Sequence, residues 1–344
     1  MKAGSALVSG QRPEAELAHE AVQAALAAAG LARADNVVLF LTHDFNRNPQ
    51  PAVLAAARAA GCLAVSGGTA SGLFTERGWR LDQPAAAALV YAAPTSQLSA
   101  ESPLLSFSGH GRLPFEWQDG PARVGLLDTD AAVWSHGRAA ENGCAEFHLP
   151  GVNARLVRSS GLRLLGEAQP VEQCAGYELR RLGGHSAVDS LHRALPADLR
   201  ERPPLHLIAA LRQADTPGIA ILSANADGSL TLAENLNEGD TIIWAIRQPL
   251  AAEQEMREAL TAAVNPVYYA TRKKRPNFAL MFSCIGRGPL FYGNDDRDLV
   301  AFRDTFPDTP LLGAYGTGQI APLAGHNRLF HNTALTLLFE SAHV

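Results

Sequence analysis

Two hydrophobic patterns alternate along the amino-terminal part of the chain. Residues 37–41 and 85–91 are unbroken apolar runs of strand length. Elsewhere apolar residues recur at helical spacing, in one helix that Gly30 ends and in a second that runs from Pro51 to Gly61. This alternation predicts buried strands joined by amphipathic helices, which is typical of an α/β sheet covered by helices.

The carboxy-terminal part repeats this order of elements. Helices are predicted around Met256 and at 295–305, and strands are predicted at 241–246, 278–283, 311–315 and 333–339. Both halves place a glycine-rich turn after the corresponding strand, at 66–72 and at 313–318. We therefore predict an α/β fold of two pseudo-repeated halves, each a mixed sheet with covering helices, joined by a β-rich middle segment.

Composition narrows the class of protein. With 47% hydrophobic and 18% charged residues the chain is globular, and its net charge of -5 argues against nucleic-acid or anionic-membrane partners. No apolar run approaches the roughly 20 residues of a membrane helix, and no signal peptide is seen near the first residue. The four cysteines are widely spaced, which favours a reducing compartment. We expect a cytoplasmic protein.

Arg287 is the strongest candidate for a ligand-binding side chain. It lies between Gly286 and Gly288, just after the predicted strand at 278–283. The carboxyl ends of strands are where open α/β sheets bind ligands, and a guanidinium matches the geometry of a carboxylate. A salt bridge to one of the aspartates at 295–298 explains the residue equally well, so both interpretations stay open.

Cys284 and the nearby histidines allow further chemistry. Cys284 can act as a nucleophile if His326 or His331 lies close enough to serve as its base, or it can simply be buried at the end of a strand. The same two histidines, five positions apart, can ligate a metal or haem, or they can make hydrogen bonds in a turn and an edge strand. Because carboxylate and cysteine ligands are absent nearby, we expect no metal.

The amino-terminal glycine-rich turn offers donors for an anion. Gly67 and Gly68 precede Thr69 and Ser71, so backbone N–H groups and hydroxyls can converge there. Tight packing between strands explains the two glycines as well.

Three carboxy-terminal segments carry a resemblance to a known family. They are residues 282–288 (Phe-Ser-Cys-Ile-Gly-Arg-Gly), 312–322 and 331–333 (His-Asn-Thr). They resemble the carboxy-terminal domain of the FIST family, the F-box and intracellular signal transduction proteins. The turn at 67–72 is similar to the family's amino-terminal domain. The resemblance implies a FIST N-terminal-like domain at 1–184 and a FIST C-terminal-like domain at 185–344, of the bacterial stand-alone type.

The family resemblance implies a sensory protein of signal transduction rather than an enzyme. Its ligand is expected to be an amino acid or another small carboxylate, bound between the halves near the two glycine-rich turns. No F-box, kinase, cyclase or receiver segment is recognisable, so a separate signalling protein is expected to carry the output, and a homo-oligomer stays open. The expected ligand-binding residues are Arg287 for a carboxylate, Thr69, Ser71 and Tyr315 as donors, Asn332 for a polar end, and also Cys284, Gly286, Gly67, Gly68, Gly316, Gln319 and His331.

Two positions depart from the family pattern, and three other functions stay open. Ala314 stands where an aromatic residue is usual and Gln319 where glutamate is usual. If that glutamate meets a ligand's ammonium group, the ligand class differs here. The alternatives are a haem-binding nitric oxide sensor using His331 or His326, a Cys284-dependent hydrolase or transferase, and a purely structural interaction protein. In the main interpretation no cofactor is expected.

Overall fold

The computed structural model describes residues 1–93, 102–264 and 275–342. The helices are α1 (Ala15–Ala29), α2 (Gln50–Ala60), α3 (Ala187–Ala194), α4 (Pro249–Ala263), α5 (Pro289–Tyr292) and α6 (Arg297–Thr305). The strands are β1 (Lys2–Ser9), β2 (Asn36–Thr42), β3 (Val65–Ala70), β4 (Gly72–Thr75), β5 (Gly78–Arg80), β6 (Ala85–Ala92), β7 (Leu104–Ser108), β8 (Arg123–Leu127), β9 (Val133–Ser135), β10 (Arg138–Ala139), β11 (Cys144–Phe147), β12 (Val152–Ser159), β13 (Leu162–Ala175), β14 (Glu178–Leu182), β15 (His185–Ser186), β16 (Ile208–Leu211), β17 (Ile219–Ala224), β18 (Leu230–Leu232), β19 (Thr241–Arg247), β20 (Phe278–Cys284), β21 (Leu311–Gly316), β22 (Gly318–Leu323), β23 (His326–Phe330) and β24 (Ala334–Ser341).

The chain forms two compact units. Unit 1 comprises Met1–Ser159 and Met256–Val344, and unit 2 is the intervening segment Ser160–Glu255. Division by compactness thus differs from the predicted family domains at 1–184 and 185–344, which stay a prediction. None of the helices in the described ranges has the length and apolar character that a membrane crossing needs.

Unit 1 is built around two six-stranded mixed sheets. The first has the order β1-β6-β2-β3-β9-β10 and the second the order β12-β24-β20-β21-β4-β5. Alternate residues of each strand point to opposite faces, so Val38 and Phe40 of the first sheet pack against Phe282 of the second. The opposite faces are covered by α1 and α2 on the first sheet and by α4 and α6 on the second. Because both faces are covered, the central strands β2, β6 and β20 are almost entirely apolar, as the sequence predicts.

The two sheets share one strand order. In β1-β6-β2-β3 and in β12-β24-β20-β21 the successive pairings are antiparallel, antiparallel and parallel. The α/β fold class with mixed sheets is confirmed, whereas superposition of the halves stays a prediction. One element of the predicted repeat is wrong. The sequence assigned the strand at 241–246, which is β19, to the place of β1 in the second half, but β19 lies in unit 2 and β12 takes that place. Periodicity reports that a strand is buried but not which sheet it joins, and unit 2 separates β12 from α4.

Unit 2 is a small antiparallel barrel. Its strands follow the order β13-β19-β16-β17-β18-β14, and β13 also pairs with β14, which closes the ring. Apolar side chains fill its core, including Trp244 from β19 and Leu191 from α3. The Trp244 indole donates to Ser190 Oγ at 3.1 Å, so the buried N–H has a partner.

Single residues carry the chain from one sheet to the next in unit 1. Ser71 separates β3 in the first sheet from β4 in the second. Thr317 separates β21 in the second sheet from β22 in a third sheet, whose order is β11-β7-β8-β22-β23. These transfers bring polar residues from distant parts of the sequence to one place.

Candidate functional site

The carboxyl ends of two parallel strand pairs, β2–β3 and β20–β21, converge in unit 1. The Ser71 backbone N–H donates to the Tyr315 carbonyl at 3.0 Å, and that of Thr317 donates to the Leu127 carbonyl at 3.0 Å, which adds the end of β8. The polar residues at these ends are named here the strand-end cluster: His43, Thr69, Ser71, Asp128, Cys284, Thr317, His331 and Asn332. It contains five of the predicted site residues, Thr69, Ser71, Cys284, His331 and Asn332.

Asp128 is the buried centre of this cluster. Its Oδ2 accepts from the Ser71 N–H at 2.8 Å and from the Ser71 hydroxyl at 2.7 Å, and its Oδ1 accepts from the Thr129 N–H at 3.1 Å. His43 Nε2 lies 3.0 Å from Oδ2 but is not aligned for a hydrogen bond, and the His43 side chain is 36% exposed. A fixed carboxylate thus lies behind an imidazole that solvent can reach.

Sequence reasoning missed both His43 and Asp128. Each residue directly follows a buried strand, β2 for His43 and β8 for Asp128. A polar residue at the carboxyl end of an apolar strand was the available signal, and it is the same signal that singled out Arg287.

The geometry of Ser71 is not that of an activated nucleophile. A catalytic serine donates its proton to an imidazole base, whereas the Ser71 hydroxyl donates directly to Asp128. The arrangement instead holds β3, β8 and the loop after β2 together and presents His43 as a polar contact.

Thr69, Gly67 and Gly68 serve packing. The Thr69 hydroxyl donates to Asn46 Oδ1, and its oxygen accepts from the Ala132 N–H at 2.9 Å. A Cβ at Gly67 would lie 1.9 Å from the Leu39 carbonyl oxygen, and one at Gly68 would lie 3.2 Å from that of Ala132. The packing interpretation of this turn therefore fits, and the Thr69 hydroxyl proton is not available for an anion.

The contacts of Gln319 explain why a glutamine stands where glutamate is usual in the family. Its side chain is fully buried between the ends of β20, β23 and β24. In the amide orientation that suits these neighbours, it donates to the Thr333 and Phe330 carbonyls at 3.2 Å each and accepts from the Cys284 N–H at 3.1 Å. An ionised glutamate could not donate to the two carbonyls. Gln319 therefore supports the backbone around Cys284 rather than facing a ligand.

Cys284 is buried at the end of β20. Its sulfur lies 3.7 Å from Asn332 Oδ1, and its strand neighbour is Gly316, where a Cβ would lie 2.7 Å from the Leu127 carbonyl oxygen. Gly286 follows in a short 3-10 turn, Ile285–Arg287. The contact of Cys284 with an amide oxygen fits the buried-cysteine interpretation, and its reactivity stays untested.

His326 and His331 lie at opposite ends of β23. Five residues of strand separate them by about 16 Å, so they cannot bind one metal together. His326 Nδ1 is 2.6 Å from Asp119 Oδ1, and His331 donates through Nδ1 to the Thr317 carbonyl at 3.0 Å. Among the described residues, no group of three potential ligands is placed to hold a metal ion. The haem alternative therefore rests on Nε2 of a single histidine and stays a prediction.

Arg287 forms the salt bridge to an aspartate at 295–298 that one of its two interpretations predicts. Its side chain is 1% exposed. Nε lies 2.7 Å from Asp298 Oδ2 and Nη2 lies 3.0 Å from Oδ1, while Nη1 donates to the Ser159 carbonyl at 2.7 Å and Nη2 to the Ser159 hydroxyl at 2.7 Å. These contacts leave no open face for a ligand carboxylate. The expected anion anchor is therefore corrected: Arg287 joins α6 to the end of β12.

Tyr315 is likewise engaged inside the protein. Its hydroxyl donates to Asp296 Oδ2, and Asp296 Oδ1 accepts from the Leu299 N–H at 3.0 Å at the start of α6. Burial, together with the charge of Asp298, raises the pKa of Asp296 to about 6. Tyr315 is therefore not free to donate to a ligand, which corrects its expected role.

The Asp296→Asn variant is expected to remove a pH dependence of stability. With its pKa raised above the unfolded value, folded Asp296 binds a proton more tightly than the unfolded chain, so its contribution weakens stability as pH rises from about 4 to about 6. Asparagine keeps the oxygen that caps α6 without the charge, and its Nδ2 replaces Oδ2 and can donate to the Tyr315 hydroxyl oxygen. Relative to wild type, we expect the variant to gain on the order of 2–3 kcal/mol of unfolding free energy between pH 4 and pH 7.5.

Denaturant titrations of both proteins at the two pH values measure this difference. Parallel stability curves across the range would contradict a buried Asp296 with a raised pKa.

Comparison with known proteins matches part of this chain to one domain family. Residues 187–322 match the sequence model of the FIST C domain. The family predicted from the motifs is thereby confirmed, and the chain contains a FIST C domain, of a family associated with sensing in signal transduction. The FIST N-terminal-like domain stays a prediction.

Individual relatives are distant. The uncharacterized protein Rv0628c of Mycobacterium tuberculosis is 29% identical over 211 residues, which are 58% of this chain and 54% of that protein. Mb0898c of Mycobacterium bovis, also uncharacterized, is 28% identical over 211 residues, 58% of this chain and 53% of that protein. Human F-box only protein 22 is 39% identical over 62 residues, 17% of this chain and 15% of that protein. The chain spans about half the length of the mycobacterial relatives.

Proposed function

We propose that this protein is a small-ligand-binding sensory protein of intracellular signal transduction, whose ligand is an amino acid or another small carboxylate. The ligand binds at the strand-end cluster, with His43 as its main contact. This proposal rests on the partly exposed imidazole of His43 at the carboxyl edge of β2 and β3. Its Nε2 lies 3.0 Å from Oδ2 of the buried Asp128. Ligands of open α/β sheets bind at this edge.

His43 Nε2 lies 3.0 Å from Asp128 Oδ2, so Nδ1 is the ring nitrogen left to donate to a ligand carboxylate. Asn332 and His331 lie at the neighbouring strand ends and supply further polar groups. Binding rather than catalysis is supported by Ser71, which donates to Asp128, and by Cys284, which contacts an amide oxygen. The output passes to a separate signalling protein, and the setting is cytoplasmic.

A thermal-shift screen over amino acids, small carboxylates and nucleotides tests this proposal. A ligand that binds only the folded state stabilises it by about 2.7 kcal/mol at one hundred times its Kd. The expected hit is an amino acid or small carboxylate that raises the melting temperature of the wild-type protein. This rise should be reduced by at least half in His43→Gln and in Asp128→Asn. Arg303→Gln, which alters an exposed arginine of α6, is the control and should retain the full shift.

Other outcomes would overturn the proposal. A hit whose shift is unchanged in both variants places the ligand elsewhere, and no hit at all favours the structural interaction protein. A Soret band that is lost in His331→Ala would establish the haem alternative. Rapid, stoichiometric alkylation of Cys284 at neutral pH would favour the hydrolase or transferase.

A further inference from the structure

A groove opens beside the strand-end cluster, at the carboxyl end of β2. It has a volume of about 490 Å³ and is lined by Pro13, Ala15, Asp44, Phe45, Arg47, Asn48, Pro51 and Ala52. This volume falls in the roughly 300–1,000 Å³ range of small-molecule sites. His43 faces Asp128, whereas the next residues of the same loop line the groove, so the two places are distinct.

The groove carries two opposite charges that do not pair. Asp44 and Arg47 are both exposed and lie three positions apart in the loop between β2 and α2. Within the described ranges, Arg47 has no ion-pair partner and Asp44 contacts only the Thr42 hydroxyl, at 2.8 Å. The lining of the groove therefore includes an exposed carboxylate and an exposed guanidinium, each open to a ligand group of opposite sign.

The loop that carries these charges is held in place on both sides. Phe45 is 3% exposed in the core beneath α1 and α2. The Asn46 side chain accepts from Thr69, and the Thr42 hydroxyl oxygen accepts from the Ala85 N–H at 3.0 Å. Since the loop is already ordered, a ligand would not have to order it on binding.

The remaining lining is mostly apolar. It comprises Pro13, Ala15, Phe45, Pro51 and Ala52, and Asn48 adds one amide. Such a surface fits a short methylene chain but offers no second charged pair. A ligand with one charge would leave either Asp44 or Arg47 without a partner.

We propose that this groove is a second small-molecule site, for a zwitterion whose ammonium and anionic groups are joined by a short aliphatic chain. The ammonium binds Asp44, the anionic group binds Arg47 and Asn48, and the chain lies against the proline and alanine residues. This site does not depend on the strand-end cluster.

The proposal is tested by titrating the intact protein with glycine, β-alanine and 4-aminobutyrate at low salt. Binding is detected by NMR or calorimetry. At least one probe should bind saturably, and butyrate and butylammonium, each with one charge, should bind at least tenfold more weakly. Arg47→Gln and Asp44→Asn should each raise Kd for the bound probe at least tenfold. Both side chains are exposed, so unchanged melting temperatures should show that the variants fold.

Two matched substitutions serve as controls. Arg303→Gln makes the same charge change on α6 and should leave Kd within twofold, and Arg47→Lys should keep part of the affinity. The proposal is overturned if no zwitterion binds saturably, if the singly charged probes bind as tightly, or if neither groove variant weakens binding.

Discussion

Arg287→Met is expected to lower the unfolding free energy by about 3–5 kcal/mol, because it leaves the Asp298 carboxylate buried without its cation. Both side chains are 1% exposed, so solvent cannot replace the lost partner. Ser159 would lose two hydrogen bonds at the same time. Denaturant unfolding at neutral pH measures the loss.

Two further variants separate a structural role from a ligand-binding role. Adding Asp298→Asn to Arg287→Met removes the stranded charge and should recover part of the stability. Arg287→Lys keeps the charge but loses the fork, so it should melt earlier than wild type. Its folded fraction should bind the screened ligand normally. A lysine variant that melts like wild type but binds weakly would restore Arg287 as the anion anchor.

Gly67→Ala is expected to cost about 3–5 kcal/mol or to prevent folding, through a steric clash added to backbone strain. Gly67 has φ of 153°, which side chains rarely adopt. An added Cβ would also lie 1.9 Å from the Leu39 carbonyl oxygen, within the parallel pair β2–β3. Neither strand can move away, because helices and the second sheet cover both faces.

Gly78→Ala is the matched control for this substitution. Gly78 has φ of 144°, close to that of Gly67, but a Cβ there would meet nothing within 4 Å. It should therefore show the backbone strain alone, about 1–3 kcal/mol. Equal losses in the two variants, measured by thermal and denaturant unfolding, would show that the contact with Leu39 is unimportant.

The candidate site could be predicted only in part. A polar residue after a buried strand was the signal for the carboxyl edges of the sheets. The structure places Ser71 and Cys284 at such edges, with the Cys284 sulfur 3.7 Å from Asn332 Oδ1. The same signal applied to Arg287, but Asp298, only eleven residues later, lies close enough to pair with it. Sequence spacing allowed both partners, ligand and aspartate, and burial of the pair favours the aspartate.

The contact between His43 and Asp128 could not be predicted from the sequence. Their contact joins the ends of β2 and β8, which belong to different sheets and are far apart in the chain. Nothing local to either residue specifies that pairing. It arises because Ser71 carries the chain from the first sheet to the second and leaves its hydroxyl beside Asp128.

Local pattern alone was sufficient for the α/β class and the buried strands, because strands covered on both faces must be apolar. The family came from the resemblance of three short segments to known proteins. Local pattern could not assign β12 to the second sheet, separate β19 into unit 2, or decide what Arg287, Tyr315 and Gln319 contact. Those outcomes depend on which polar groups meet inside the folded chain, where each buried donor and acceptor must find a partner. Tertiary packing chooses those partners among residues distant in sequence, and periodicity along one strand or helix carries no information about them.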